Sequence, residues 1–163
     1  TKTPENGYEP LTSEDLEYMA SFPHILEITS ANLGNFYVVH AGLNASLTLE
    51  EQNPNYVFSV ERKSGREIRD GSTQDWFVEW NERQTQLRDS PGSQPYTVIY
   101  GHDAALGLQD NEYSIGLDTG CAKGKSLTGV VFPDRKFYSV NCEKPQNIAP
   151  RKINKPSPTH FKL

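Results

Sequence analysis

The sequence predicts an α/β fold, and three observations carry that prediction. Tyr96-Thr97-Val98-Ile99-Tyr100 is a near-continuous apolar run of the kind a buried strand shows. Ile25 to Thr29 and Asn35 to His40 are two further apolar runs, set either side of the turn-rich Ser30-Ala31-Asn32-Leu33-Gly34 in the pattern of a β-hairpin. Helical spacing and capping chemistry recur around these strand signals, at 12–21 and again from Asp75 onward.

Taken in order, the first helix opens on the hydroxyl and acidic residues Thr12, Ser13, Glu14 and Asp15, which suit the orphan N–H groups and positive pole of a helix N-terminus. Leu16, Tyr18 and Met19 follow, and Pro23 closes the segment. The hairpin comes next, with His40 at the end of its second strand. Thr48 and Glu51 have capping-box spacing, and Pro54 limits any helix there to one or two turns. Ser59 to Thr73 is long and polar, carries Arg62, Lys63, Arg66 and Arg69 with two glycines, and reads as an irregular excursion or lid. An amphipathic helix then begins at Asp75, its Trp76, Phe77 and Trp80 covering the sheet. Ser90-Pro91-Gly92-Ser93 is a loop before the buried strand 96–100. Tyr113 to Leu117, Leu127 to Phe132 and Phe137 to Val140 are further short strands, the last two joined by a Pro133-Asp134-Arg135 turn. Residues 143–163 mix Lys, Pro and Ser without periodicity and predict a disordered basic tail.

At 163 residues the chain can bury one domain's core. A net charge of −5 argues against a general electrostatic grip on nucleic acid, so no specific nucleic-acid partner is expected and an anionic substrate must be held locally. No apolar run reaches the roughly 18–20 residues that span a bilayer, so no membrane segment is expected within the chain. Cys121 and Cys142 are too few for a disulfide framework, and their spacing leaves open whether they pair. Asn44-Ala45-Ser46 matches a glycosylation sequon and is read as a chance match, four residues past His40. The chain starts at Thr1, which predicts further sequence upstream.

Two histidines stand out because their settings match. His40 follows Phe36-Tyr37-Val38-Val39 and precedes Ala41-Gly42; His102 follows Thr97-Val98-Ile99-Tyr100-Gly101 and precedes Asp103. An imidazole where a strand opens into a glycine-bearing turn can reach a cleft at the sheet edge, and imidazole is the commonest metal ligand. Two imidazoles do not complete a site, since zinc-like ions take three or four protein ligands. Asp103 and Asp118 are candidates to join them, and Asp103 can equally orient His102 as a hydrogen-bond acceptor. His24 and His160 have no such setting. The glycine- and lysine-bearing 116–125 can present N–H groups and cations to an oxyanion, or be a plain turn. Arg69 is a candidate donor to a substrate phosphate.

In this order, Val-Val-His-Ala-Gly-Leu (38–43), Tyr-Gly-His-Asp (100–103) and Gly-Leu-Asp-Thr-Gly-Cys followed by Gly and Leu-Thr (116–128) resemble the C-terminal half of the calcineurin-like metallophosphatases. The subgroup is similar to bacterial diadenosine tetraphosphatases and fungal endopolyphosphatases. The resemblance implies the C-terminal half of a β-sandwich flanked by helices over 1–142, with the tail beyond. It implies that His40 and His102 ligate one of two divalent ions, of Zn, Mn, Fe or Co, with Gly101, Asp103, Asp118 and Thr119 supporting.

The family's Gly-Asp-x-His-Gly, Gly-Asp-x-x-Asp-Arg-Gly and Gly-Asn-His-Glu motifs do not occur here, so the catalytic residues proper are unassigned and the missing N-terminal half of the domain is an expected partner. In the family, two ions about 3.5–4 Å apart acidify a shared water that attacks phosphorus in line. The implied activity is metal-dependent hydrolysis of phosphoanhydrides, polyphosphate or dinucleoside polyphosphate, with the chain alone inactive. The alternatives are a serine/threonine phosphoprotein phosphatase and a degenerate, non-catalytic binding module of the same fold. Neither a cytoplasmic nor a vacuolar location is favoured.

Overall fold

A computed structural model describes residues 10–60 and 75–144. Helix α1 (Ser13–Ala20) is followed by strands β1 (Ile25–Ser30) and β2 (Gly34–Val39), helix α2 (Pro54–Phe58), helix α3 (Trp76–Arg88) and strand β3 (Tyr96–Tyr100). Strands β4 (Gln109–Asn111), β5 (Ser114–Gly116), β6 (Ser126–Val131) and β7 (Lys136–Asn141) complete the order, with a 3-10 turn at Cys121–Lys123. Five strands form one sheet in the order β1-β2-β3-β5-β4, and β6 and β7 form a second, two-stranded one. The middle of the large sheet is parallel, β2 to β3 and β3 to β5, while β1 and β4 pair antiparallel at its edges. This is a mixed α/β architecture, as the sequence predicts.

Helix α3 covers one face. Trp76, Trp80 and Gln84, four apart, fall on a single stripe and are its buried residues. The two tryptophans pack with Val39, Val98, Tyr100 and Tyr113 in the core. Polar groups fix the register of helix on sheet. The Trp80 indole N–H donates to the Tyr96 carbonyl at 3.2 Å, and the Tyr96 N–H donates to Gln84 Oε1 at 2.9 Å. Asn81 accepts from the Tyr113 N–H at 2.6 Å and donates to Ser114 Oγ at 2.7 Å. The backbone groups among these partners belong to Tyr96, the first residue of β3, and Tyr113, just before β5.

The opposite face is thinly covered. Leu26 pairs across from Val38 and Ile28 from Phe36, and Leu26 and Ile28 remain 49% and 41% exposed. Phe36 and Ile115 are buried there, Phe36 under the ring of Phe132 at 4.6 Å between centroids.

Several sequence expectations shift in detail. The first helix forms behind a full capping box, Thr12 with Asp15. At Thr48 no helix forms: Glu51 does accept from the Thr48 N–H at 3.0 Å, but only a turn results. The helical turn starts instead at Pro54, whose locked φ and missing N–H suit a first helical position, behind Asn53 as cap. Strand β2 ends at Val39, so His40 stands one residue beyond it. The strand expected at Tyr113 to Leu117 is the shorter β5, and its partner β4 escapes a pattern search because Gln109-Asp110-Asn111 has no apolar residue. Cys121 and Cys142 are bonded. The excursion with Arg62, Lys63, Arg66 and Arg69 lies outside the described residues over 61–74, and so does 145–163, nearly all of the expected tail.

Candidate metal and phosphate site

The parallel pairing places three loops at one edge. His40 follows β2, Gly101-His102-Asp103 follows β3 and Leu117-Asp118-Thr119 follows β5, all at carboxyl ends of adjacent parallel strands. In open α/β sheets that edge is where ligands are bound.

Backbone bonds tie the loops together. The Gly101 N–H donates to the His40 carbonyl at 2.9 Å, and the Leu117 N–H to the Tyr100 carbonyl at 2.8 Å. The Ala41 N–H donates to the Val57 carbonyl at 2.9 Å, fastening the His40 turn to α2. His102 itself takes a left-handed backbone, φ 71°. For a residue with a Cβ that conformation costs about 1–3 kcal/mol, and such outliers gather at functional sites. The turn swings the His102 ring back toward His40, so that His102 Nδ1 and His40 Nε2 lie 3.2 Å apart, with both residues exposed.

That spacing fits two readings. One imidazole N–H donating to the other's bare nitrogen gives it. So does a shared ion: two nitrogens each about 2.0–2.1 Å from a metal, at a near-tetrahedral angle, lie roughly 3.2–3.4 Å apart. The ring positions therefore suit two ligands of one ion. Among the described residues no group of three or more His, Cys, Asp or Glu side chains converges to hold a metal.

The supporting residues fall as follows. Asp103 Oδ1 accepts from the Ala105 N–H at 3.2 Å, which stiffens the turn after His102. Asp118 Oδ1 accepts from the Gly120 N–H at 3.0 Å, and its Cβ lies 4.0 Å from where a side chain on Gly101 would begin. Gly101 is thus not demanded by space, and the positive φ sits on its neighbour. The Thr119 hydroxyl donates to the Ser126 carbonyl at 2.7 Å and pairs with Thr128 Oγ1 at 2.7 Å, facing the second sheet rather than the imidazoles. Arg69 lies outside the described residues.

Other contributors are visible only in three dimensions. The Trp76 indole lies on Gly42, where any Cβ would come within 2.6 Å of the ring; the glycine after His40-Ala41 is required by this close approach. Phe58 sits 6.3 Å from the His40 ring and 4.9 Å from the His24 ring, bringing His24 into the neighbourhood. Beneath His102 is a cavity of about 20 Å³ lined by Ala41, Asp75, Trp76, Tyr100, His102 and Asp103 among others. The Tyr100 hydroxyl is buried and has no hydrogen-bonding partner among the described residues. Burial pushes its pKa up, helped by the charges of Asp103 and Asp75, so it stays a neutral phenol at ordinary pH. The sequence signal was present, since Tyr100 precedes Gly101-His102 directly; its chemistry was not.

Known proteins similar to this chain are dinucleoside tetraphosphatases by name. No family profile matches the chain. A symmetrical bis(5'-nucleosyl)-tetraphosphatase of Methylobacillus flagellatus is 41% identical over 63 residues, 39% of this chain and 22% of that protein. Its counterpart in Janthinobacterium sp. is 45% identical over 77 residues, 47% of this chain and 24% of that protein. An asymmetrical one, from Oceanobacillus iheyensis, is 38% identical over 48 residues, 29% of this chain and 19% of that protein. A crystal structure of a candidate diadenosine tetraphosphatase superposes with a TM-score of 0.56 at 27% identity, covering 81% of this chain and 56% of that one. The matches therefore span a quarter or less of these curated relatives' length, and about half of the solved structure.

Proposed function

We propose, from the chain's kinship with the diadenosine tetraphosphatase branch of the calcineurin-like metallophosphatases, that the protein hydrolyses a phosphoanhydride, in a dinucleoside polyphosphate or in polyphosphate. The observation that carries this reading is the convergence of His40 Nε2 and His102 Nδ1, 3.2 Å apart at the carboxyl edge of the parallel strands.

In this reading both imidazoles ligate the same divalent ion through those nitrogens. A pair of such ions would supply Lewis acidity, drawing electrons from a phosphoryl oxygen and acidifying a water. The chain's own part is to place the ligands. The Gly101-to-His40 backbone bond sets the distance between the two turns, and the left-handed His102 aims its ring. Asp103 and Asp118, each capping its own turn, keep those turns from relaxing. Arg69 would hold a substrate phosphate. Two imidazoles leave the ion's other positions unfilled, so further ligands and the group that protonates the departing phosphate come from sequence beyond the described residues. An apolar groove lined by Met19, Phe22, Leu26, Val38 and Phe58 leads to His40 and suits such a segment. The chain by itself is expected to bind metal weakly and to turn over no substrate.

The test is hydrolysis by the full-length protein, stripped of metal and reloaded with Mn, Co or Zn, of diadenosine tetraphosphate, polyphosphate and a phosphopeptide. Cleavage of either anhydride, lost on stripping, is expected. Turnover of the phosphopeptide alone would favour a phosphoprotein phosphatase, and no turnover a binding module; either result defeats the proposal. His102→Ala should weaken metal binding, read by calorimetry, at least about tenfold.

A further inference from the structure

The second sheet presents a problem of support. A two-stranded hairpin standing alone is marginal in water, and among the described residues β6 and β7 pair with no strand of the larger sheet. Leu127, Val131, Tyr138 and Val140 on its outer face are all exposed, and on its inner face Val130, Phe132 and Phe137 are only half-buried, so apolar burial holds it down less firmly than it holds the core of the larger sheet.

Its two ends are tied differently. At the turn, Arg135 forms an ion pair with Asp110 at 2.7 Å and donates to the Glu112 carbonyl at 2.9 Å, reaching the β4–β5 hairpin. Phe132 lies on Phe36 nearby. At the open end the partner is the loop 117–125, which descends from the candidate site. Gly120 bridges to Ser126, and the Cys142 N–H donates to the Lys125 carbonyl at 2.8 Å. A line of hydroxyls runs from Thr119 to Thr128 to Ser139, each step 2.7 Å. Cys121 and Cys142 are joined across the same junction, their Cα atoms 5.3 Å apart and 21 residues apart in sequence. Gly124 shows how closely the strands of chain meet here: its φ is +71°, and a Cβ on it would come within 2.7 Å of Lys144 Cα.

We propose that the Cys121–Cys142 disulfide is a redox-dependent clamp, holding the site-bearing loop 117–125 against the end of β7, and that the protein works in an oxidising compartment. A cross-link acts by denying the open state its conformational freedom, and the gain grows with the length of loop enclosed. Here the enclosed segment is the hairpin itself, which burial supports less than it supports the larger sheet. The same bond fixes Cys121, three residues from Asp118, so opening it frees the loop that is hydrogen-bonded to Tyr100 and lies beside Gly101. Such bonds persist in secretory, lumenal and extracellular settings and are reduced in ordinary cytosol. The switch balances chemically: a dithiol loses two electrons and two protons and becomes a disulfide, while the Cys121–Cys142 bond gains them and becomes two thiols. The clamp does not depend on which phosphoanhydride, if any, is the substrate.

The first test is made on the protein as its own cells produce it. Thiol exchange is stopped by an acid quench, free thiols are then blocked with N-ethylmaleimide in denaturant at neutral pH, and the digest is analysed with and without dithiothreitol. The peptides containing Cys121 and Cys142 are expected to be linked and to separate only after reduction; finding both cysteines blocked would overturn the oxidising assignment. The second test follows amide hydrogen exchange of the folded full-length protein before and after dithiothreitol. Protection over 117–128 and 136–141 should fall at least about tenfold on reduction, with Val98 unchanged. Equal protection in both states would overturn the clamp. Cys142→Ser should reproduce the reduced pattern, and the reduction experiment decides the matter if that variant does not fold.

Discussion

The two sheets are stabilised by opposite means. In the large sheet, β3 carries Val98, fully buried, and Tyr100, 5% exposed, beneath a helix whose Trp76 and Trp80 are buried to the same degree. In the hairpin, Thr128 is the buried residue, and Leu127 and Val140 are 60% and 63% exposed. The first region is held by apolar area and by side chains that complete backbone hydrogen bonds. The second is held by a covalent bond, a line of hydroxyls, one arginine and the Phe132 ring on Phe36. What the difference teaches is where a site can be placed. His40 and His102 hang from the packed region, where neighbours fix the backbone, whereas Asp118 and Thr119 occupy the junction between the two and inherit the hairpin's dependence on its ties.

The largest effect should come from emptying the packed region. Trp80 fills the space between α3 and β3, its ring 6.1 Å from Tyr37 and its N–H on the Tyr96 carbonyl. Trp80→Ala removes that volume and leaves the carbonyl without this donor, and is expected to cost about 3–5 kcal/mol in urea unfolding. If the loss is under about 1 kcal/mol, the packed sheet is not what supports the imidazoles, and the contrast between the regions fails.

The hairpin should respond to a change too small to matter in the core. Thr128→Val keeps the shape and deletes the hydroxyl that joins Thr119 Oγ1 to Ser139 Oγ at 2.7 Å on each side. A destabilisation of about 1–2 kcal/mol is expected, because the two hydroxyls lose a buried partner. Hydrogen exchange should show the loss within β6 and β7, with β2 and β3 unaltered. Loss of protection spread evenly over both sheets would mean that they open as one unit.

The same contrast explains how far the sequence could be read. The packed region announced itself: Tyr96 to Tyr100 has the apolar continuity of a buried strand, and Trp76 and Trp80 stand four apart on a helix that needs a face. His40 and His102 were legible because each follows such a strand. Their approach to 3.2 Å was not, since it depends on β2 and β3 being parallel neighbours and on a left-handed backbone at His102 that no local signal marks. Polar contacts were legible least. Strand β4 has no apolar residue, Asn81 and Gln84 are placed by partners on Tyr113, Ser114 and Tyr96, and the bond between Cys121 and Cys142 needs β7 to return beside the loop after β5. Each is decided by a partner distant in sequence, which periodicity does not see.

Helix α1 marks the lower limit of the comparison, because it belongs to neither kind of support. None of its residues is buried, and its organisation is local: the Asp15 carboxylate accepts from the Thr12 N–H and hydroxyl, both at 2.7 Å, while the Asp15 N–H donates to Thr12 Oγ1 at 3.1 Å. Those bonds favour the charged carboxylate, the backbone donor most, and hold the Asp15 pKa below its ordinary value. A carboxyl whose folded pKa is depressed contributes stability above its unfolded pKa and loses that contribution as pH falls through the folded one. The cap should therefore be intact at neutral pH and dissolve only in acid, below the usual aspartate midpoint of about 3.9. Following the Asp15 carboxyl carbon by NMR should give a midpoint under that value, and Thr12→Ala should raise it while leaving the unfolding transitions of both sheets where they were. A midpoint at the ordinary value in the unmodified protein would show that the capping box is not formed in solution. A shift in the β2 or β3 transition on Thr12→Ala would show that α1 is packed on the sheet after all.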